Sequence, residues 1–213
     1  FTLSHAVLAP PLSKLSKGHL PIAALAIGCM TPDLYRLFTQ ANIALTHQWS
    51  GLLFPNLPIG LFFCLLWYFI YRPVSYRFLG LKDPLQINSF DDVVAFSLMN
   101  CFAIMLGTAT HLIWDGLTHL DFRTFAFRDF LAQEIALFGF HYPLHFILQI
   151  SSSILALPFI FLMCKSYYAK HKQTQPVPIN IKWFISISLV ISIVSGLLSI
   201  WDYSHHISSE LWY

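Results

Sequence analysis

Four long apolar runs limit what this chain can become. Residues 51–71, 93–120, 144–164 and 183–201 carry few charges along their length, and about twenty apolar residues are what a helix needs to cross the roughly 30 Å hydrocarbon core of a bilayer. The composition agrees: of 213 residues, 56% are hydrophobic and 10% are charged, against roughly 25% charged in soluble domains, and the mean hydropathy is +0.63. Lipid offers no water to satisfy backbone polar groups, so the segments must be helical or close into a barrel. The chain is therefore predicted to be all-α, a polytopic membrane helical bundle with four to six spans or re-entrant helices, forming a single integral membrane domain over residues 1–213.

The shorter segments add detail. Residues 1–19 are moderately apolar and interrupted by Pro10-Pro11, which removes helix donors, so a re-entrant or interfacial segment is expected there. Residues 20–38 are long enough to cross, yet Pro32-Asp33 interrupts them. Residues 121–143 mix aromatics with charges and read as an amphipathic, interfacial segment; its Arg123 and Arg128 match a phosphate or lipid headgroup, or more ordinarily form a solvated face. Residues 165–182 read as a basic cytoplasmic linker. Cys29, Cys64, Cys101 and Cys164 stand singly, as small core residues do. A net charge of +2 gives no reason to expect nucleic acid. No charged leader with a cleavage site precedes the first apolar run, so a cleaved secretory signal is not expected.

Against this apolar background, GTATHLIWDGLTHLD at residues 107–121 is unusual. His111, Asp115 and His119 follow one another at intervals of four residues, so on a helix they form one stripe drifting by about 40° per step. Imidazoles and a carboxylate are ligand types for a Zn²⁺-like ion, and ionisable groups inside a span are functional candidates. The ordinary alternative is a hydrogen-bonded helix brace. His111 and His119 would lie about 12 Å apart along a regular helix, so either the helix loosens at Gly116 or Asp115 bridges two ions. More than one metal is favoured.

Other candidates lie far away in sequence. His5 follows Ser4 near the start. Asp33 after Pro32 reads equally well as a ligand or as an N-terminal cap for a helix over 33–40, and His47 sits beside Trp49 at a span boundary. His145 and Gln149 are one turn apart at the start of residues 144–164, where Gln149 could orient His145. His205-His206 near the end is a weaker metal candidate than a solvated pair. The basic residues of 72–92 and 165–182 place those loops in the cytoplasm by the positive-inside tendency. Span 93–120 then runs outward, so His111 to His119, His145, Asp33 and His47 converge near the outer, periplasmic face. Lys14 and Lys17 fit this less easily, because they prefer the cytoplasm while His5 needs the outer side.

The residues FTLSHAVLAPPL, LPIAALAIGCMTPDL, GTATHLIWDGLTH and LHFILQISSS, in that order, resemble the bacterial membrane-protein family known as domain of unknown function 4184. That family is similar in pattern to the YdjM-like group of membrane-bound metal-dependent hydrolases, and more distantly to zinc-dependent phospholipase C. The shared pattern is an early His, a Pro-Asp and a helical His-x-x-x-Asp. The resemblance implies His5, Asp33, His47, His111 and Asp115 as metal ligands, with His119 and His145 as further candidates, in a bacterial inner membrane. The Asp-x-Asp and His-Arg elements expected of the YdjM-like pattern after Pro32 are missing here.

These readings lead to one expectation and two rivals. The expectation is a membrane-embedded hydrolase acting on a lipid or amphiphilic ester or phosphoester, with one or more divalent ions, zinc first. Asp115, His119 and His145 would serve the chemistry or carry protons. One rival is a non-catalytic membrane subunit of a larger protein complex, its cluster holding a structural metal or a hydrogen-bond network. The other is a small transporter or proton relay.

Overall fold

The structure, a computed structural model, describes residues 2–38, 43–137, 139–173 and 177–210, with side chains described as far as Trp201 apart from 43, 199 and 200. His205 and His206 therefore lie outside the described side chains. Among the described residues nearly all regular structure is helical. Four stretches are long and apolar enough to cross a membrane: Trp49–Leu79, Phe90–Thr118, Leu144–His171 and Ile179–Leu198. The chain divides into two compact units, one comprising Phe1–Tyr71 with Pro84–Lys170, the other Arg72–Asp83 with His171–Tyr213.

The first unit opens with a 3₁₀ turn at Thr2–Leu8 that runs into α1 (Ala9–Leu15), whose early prolines fall in its first turn. Lys17 and Gly18 then take positive φ and reverse the chain, and α2 (Ile22–Leu34) returns. Its 13 residues span only about 20 Å, less than the hydrocarbon thickness. Residues 2–34 thus form a helical hairpin with His5 and Asp33 at one end and Lys14 and Lys17 at the other. This removes the conflict between the early lysines and His5.

α2 does not stop at Pro32, contrary to the break expected from sequence. The proline lacks the N–H that would bond the Gly28 carbonyl four residues back, and that carbonyl accepts instead from Thr108 Oγ at 3.2 Å. Thr108 belongs to α6 (Phe90–Thr118), which begins with a Ser89/Asp92 capping box. α2 and α6 run parallel and pack backbone against backbone. A Cβ at Gly28 would meet the Ile104 carbonyl and Cα, and one at Gly107 would meet the Leu25 carbonyl and, at 2.7 Å, the Cys29 nitrogen. Small residues permitting such approach are how helices associate in lipid. Ala24, Leu25, Ile27, Ala103 and Ile104 fill the core around this crossing.

Between them come α3 (Ile43–Thr46) and a span built from short 3₁₀ and π turns and α4 (Leu57–Leu66). Asn56, fully buried, donates to the Thr46 carbonyl at 2.8 Å and ties the link to the span. After α6, residues 121–143, read from sequence as an amphipathic segment, contain both a helix and a strand pair. A four-residue helix, α7 (Arg128–Leu131), leads to an antiparallel hairpin of β1 (Glu134–Leu137) and β2 (Phe140–Pro143). The alternating, aromatic-rich sequence around Gly139, which takes positive φ, suits a hairpin better than a 3.6-residue period. α8 (Leu144–His171) follows.

The second unit contains α5 (Arg72–Leu79) and α9 (Ile179–Glu210). Residues 72–79, expected as loop, are helical, with Arg72 stacked 4.4 Å over Tyr76. Lys82 donates to the His171 carbonyl at 2.9 Å, and Gln173 to that of Gly80 at 2.7 Å.

Candidate metal centre

The hairpin, the link before the first span and the end of α6 deliver polar side chains to one place in the first unit. Asp115 is its hub. The Oδ2 atom lies 3.4 Å from His111 Nε2 and 3.9 Å from His47 Nε2, while Oδ1 lies 3.7 Å from His5 Nε2 and 3.6 Å from His119 Nδ1. His47 Nε2 is also 3.3 Å from Asp33 Oδ1, whose other oxygen accepts from Thr2 Oγ at 2.7 Å. The His5 ring stacks on His111 with centroids 4.1 Å apart and meets Trp114 edge-on.

Two hydrogen bonds decide what these imidazoles present. His111 Nδ1 donates to the Cys29 carbonyl at 2.7 Å, which leaves Nε2 as the nitrogen facing the carboxylates. That Nε2 is buried without a hydrogen-bond partner. Thr46 donates its hydroxyl to the Pro32 carbonyl at 3.1 Å, so its oxygen accepts from His47 Nδ1 at 3.0 Å. His47 therefore also turns Nε2 inward. Metal-ligating histidines hold their tautomer in this way, the outer N–H on a carbonyl or another oxygen.

Lone pairs of two imidazoles and two carboxylates converging on one space repel one another unless a proton or a metal cation lies between them. The residues fit a metal ion. Two groups of ligand atoms lie mutually within 4.8 Å: His5, Asp33 and His111, and His47, His111 and Asp115. Ligands at about 2.1 Å around a tetrahedral Zn²⁺ sit roughly 3.4 Å apart, close to the 3.3–3.9 Å separations between the histidine nitrogens and carboxylate oxygens. His111 is shared by both groups, and Asp115 presents its two oxygens to different histidines.

Arg123 supplies a further partner that sequence had assigned to a surface face. Its Nη1 donates to Asp115 Oδ2 at 3.0 Å and its Nε to Asp121. The bond to Arg123, first, holds the Asp121 carboxyl below its ordinary pKa. Asp33, Asp115 and Asp121 against one guanidinium leave two negative charges over, the charge one divalent ion neutralises. Burial pushes the His5 imidazole down to about 3; burial also lowers His119. The His5 imidazole is thus held in the neutral form that binds metal, whereas His119 lies outside both ligand groups.

His119 reaches Asp115 by a route the sequence did not anticipate. α6 stays regular through Gly116 and ends at Thr118, and His119 follows with extended backbone, folding its ring back against Asp115. Gly116 instead makes room for the Phe125 ring, which pins the following loop so that Arg123 can return. The Gln149 amide donates to His119 Nε2 at 2.7 Å, so Gln149 orients His119 and not His145 as expected. This puts the His119 proton on Nδ1, 3.2 Å from the Asp115 carbonyl. His145 lies outside both groups, its Nδ1 3.4 Å from the Leu131 carbonyl. Asp33 is no helix-start cap, because α2 carries it as its penultimate residue.

A family model described as Domain of unknown function (DUF4184) matches residues 1–211. The chain belongs to this family. In the DUF4184 chain the His, Pro-Asp and His-x-x-x-Asp elements that carried the resemblance thus occupy one site. No curated protein and no solved structure matches it.

Proposed function

We propose that this DUF4184 chain is a membrane-embedded metal-dependent hydrolase acting on a lipid or amphiphilic ester or phosphoester, with one or more divalent ions, zinc first. The observation that carries the reading is the convergence of His111 Nε2 and His47 Nε2, each fixed from behind, on Asp115 and Asp33. A nitrogen and oxygen ligand set suits zinc. When bound, such an ion supplies Lewis acidity and an acidified water.

The surroundings favour catalysis over a purely structural metal, whose site is closed by protein ligands. His111 and Asp115 are sealed, whereas the Asp33, His119 and Arg123 side chains are 22, 14 and 16% exposed, giving the site one accessible side. Arg123 holds Asp115 in place and is positioned to meet an anionic oxygen. His119, bonded to Gln149 and Asp115, is the group suited to carry a proton between the site and its accessible side. Kinship with YdjM-like hydrolases and zinc-dependent phospholipase C belongs to the same proposal and is supported by the ordered motifs.

Chain order supports an outer-face, periplasmic position in a bacterial inner membrane. His47 precedes its span, His119 follows α6, and the basic residues flanking 72–92 and 165–182 lie at the opposite ends of the same helices. The test begins with metal analysis of protein purified in lipid nanodiscs. Wild type is expected to retain about one or more zinc equivalents, with His111→Ala and Asp115→Asn losing most of them. Incubation with a bacterial lipid extract, followed by mass spectrometry, should then reveal products that the Asp115→Asn protein does not make. Metal-free wild type would overturn the reading in favour of a hydrogen-bonded network in a non-catalytic subunit or relay, and metal without turnover on any lipid would favour a structural ion.

A further inference from the structure

In the first unit Leu117, Phe127, Phe130, Leu131 and Leu148 line an open apolar cavity of about 520 Å³, Leu117 and Leu148 being close in sequence to His119 and Gln149. We propose that this cavity seats one acyl chain of a membrane glycerophospholipid whose hydrolysable headgroup bond lies at the metal centre. The inference rests on the hydrolase reading and specifies its substrate class.

Position is the first argument. Leu117 comes two residues before His119 on α6, and Leu148 adjoins Gln149 on α8, so the two stretches that form the cavity's walls are those joined at 2.7 Å beside Asp115. On this proposal a molecule with its tail between these walls would carry its polar end toward the exposed side of the centre. Surroundings are the second argument. Leu117 and Leu148 stand on helices long and apolar enough to span a bilayer, a setting in which lipid tails are the available apolar ligand. None of its lining residues carries a polar side chain to orient a peptide or a sugar.

The rim is the third. Leu131 closes the floor at 2% exposure, while Phe127 and Phe130 stand 70 and 53% exposed at the mouth. Phe127 holds a left-handed backbone, φ 58°, a conformation that a bulky residue adopts only at a cost and that turns the chain into α7. The His145 bond to the Leu131 carbonyl ties this floor to α8, giving that histidine a place in the tail site instead of the metal site. The volume falls in the range of small-ligand sites, roughly 300–1,000 Å³.

The test uses the full chain in nanodiscs containing a trace of phosphatidylcholine with a diazirine near the end of one acyl chain. After irradiation, labelled peptides are mapped by mass spectrometry and the zinc content of the same sample is measured. Wild type should be labelled at residues 117, 131 and 148 above the level on the exposed α9 positions Ile187 and Val190. Leu148→Trp, which fills the cavity, should reduce that ratio on the order of tenfold, because a packed space resists added volume, with zinc unchanged. Equal labelling of cavity and α9 in wild type, or an unchanged ratio in Leu148→Trp with zinc retained, would overturn the tail site while leaving the hydrolase reading intact. Cavity labelling that Leu148→Trp abolishes, in a zinc-free protein, would uphold the tail site and sink the hydrolase reading.

Discussion

Thr46 shows how much of the centre depends on residues that bind nothing themselves. Its hydroxyl proton goes to Pro32 and its oxygen receives His47 Nδ1. Replacing Thr46 by Val keeps the shape and removes the acceptor, freeing His47 to change tautomer. Loss of such an outer partner typically costs 10–100-fold in metal affinity, and Thr46→Val is expected to weaken zinc binding by about that factor in a chelator competition, with the fold retained. An unchanged affinity would mean that His47 is not a ligand. The four-residue spacing of His111 and Asp115 was legible in the sequence because a helix puts both on one stripe. Arg123 was not, since it sits eight residues from Asp115 across a chain reversal that no helical period describes; a loosened helix at Gly116 was one of two ways the sequence offered of bringing His119 to Asp115, and Gly116 instead accommodates Phe125.

At the scale of elements, the contact between α2 and α6 is the structural basis of the site. Thr108→Val would leave the Gly28 carbonyl, already deprived of its proline partner, without a donor. That substitution should cost about 1 kcal/mol, read as a lower midpoint in denaturant unfolding. Gly107→Val is expected to be far worse, because the added side chain meets the backbone of Leu25 and Cys29 and must drive the helices apart. It should abolish zinc binding along with stability, as His111 would lose the Cys29 carbonyl. Gly196→Ala, where nothing lies within 4 Å, is the matched control and should be neutral. The spans were readable from hydrophobic runs alone. The hairpin strands β1 and β2 were not, because a mixture of aromatics and charges marks an amphipathic segment without fixing its secondary structure until the Gly139 turn is given weight.

For the whole molecule, orientation in the membrane is the open prediction. With Cys164 replaced by Ala, Ser50→Cys should react with an impermeant maleimide in intact cells, whereas Lys172→Cys should react only after permeabilisation; both parent residues are exposed. The opposite pattern would place the centre on the cytoplasmic side. The separation of the ligands along the chain also sets an order of events during synthesis. His5, Asp33 and His47 leave the ribosome well before His111 and Asp115, and the Gly28 and Cys29 carbonyls meet Thr108 and His111 only when α6 arrives. The N-terminal half therefore emerges as an incomplete pocket, and a nascent chain arrested before residue 107 would hold a divalent ion far more weakly than the finished protein.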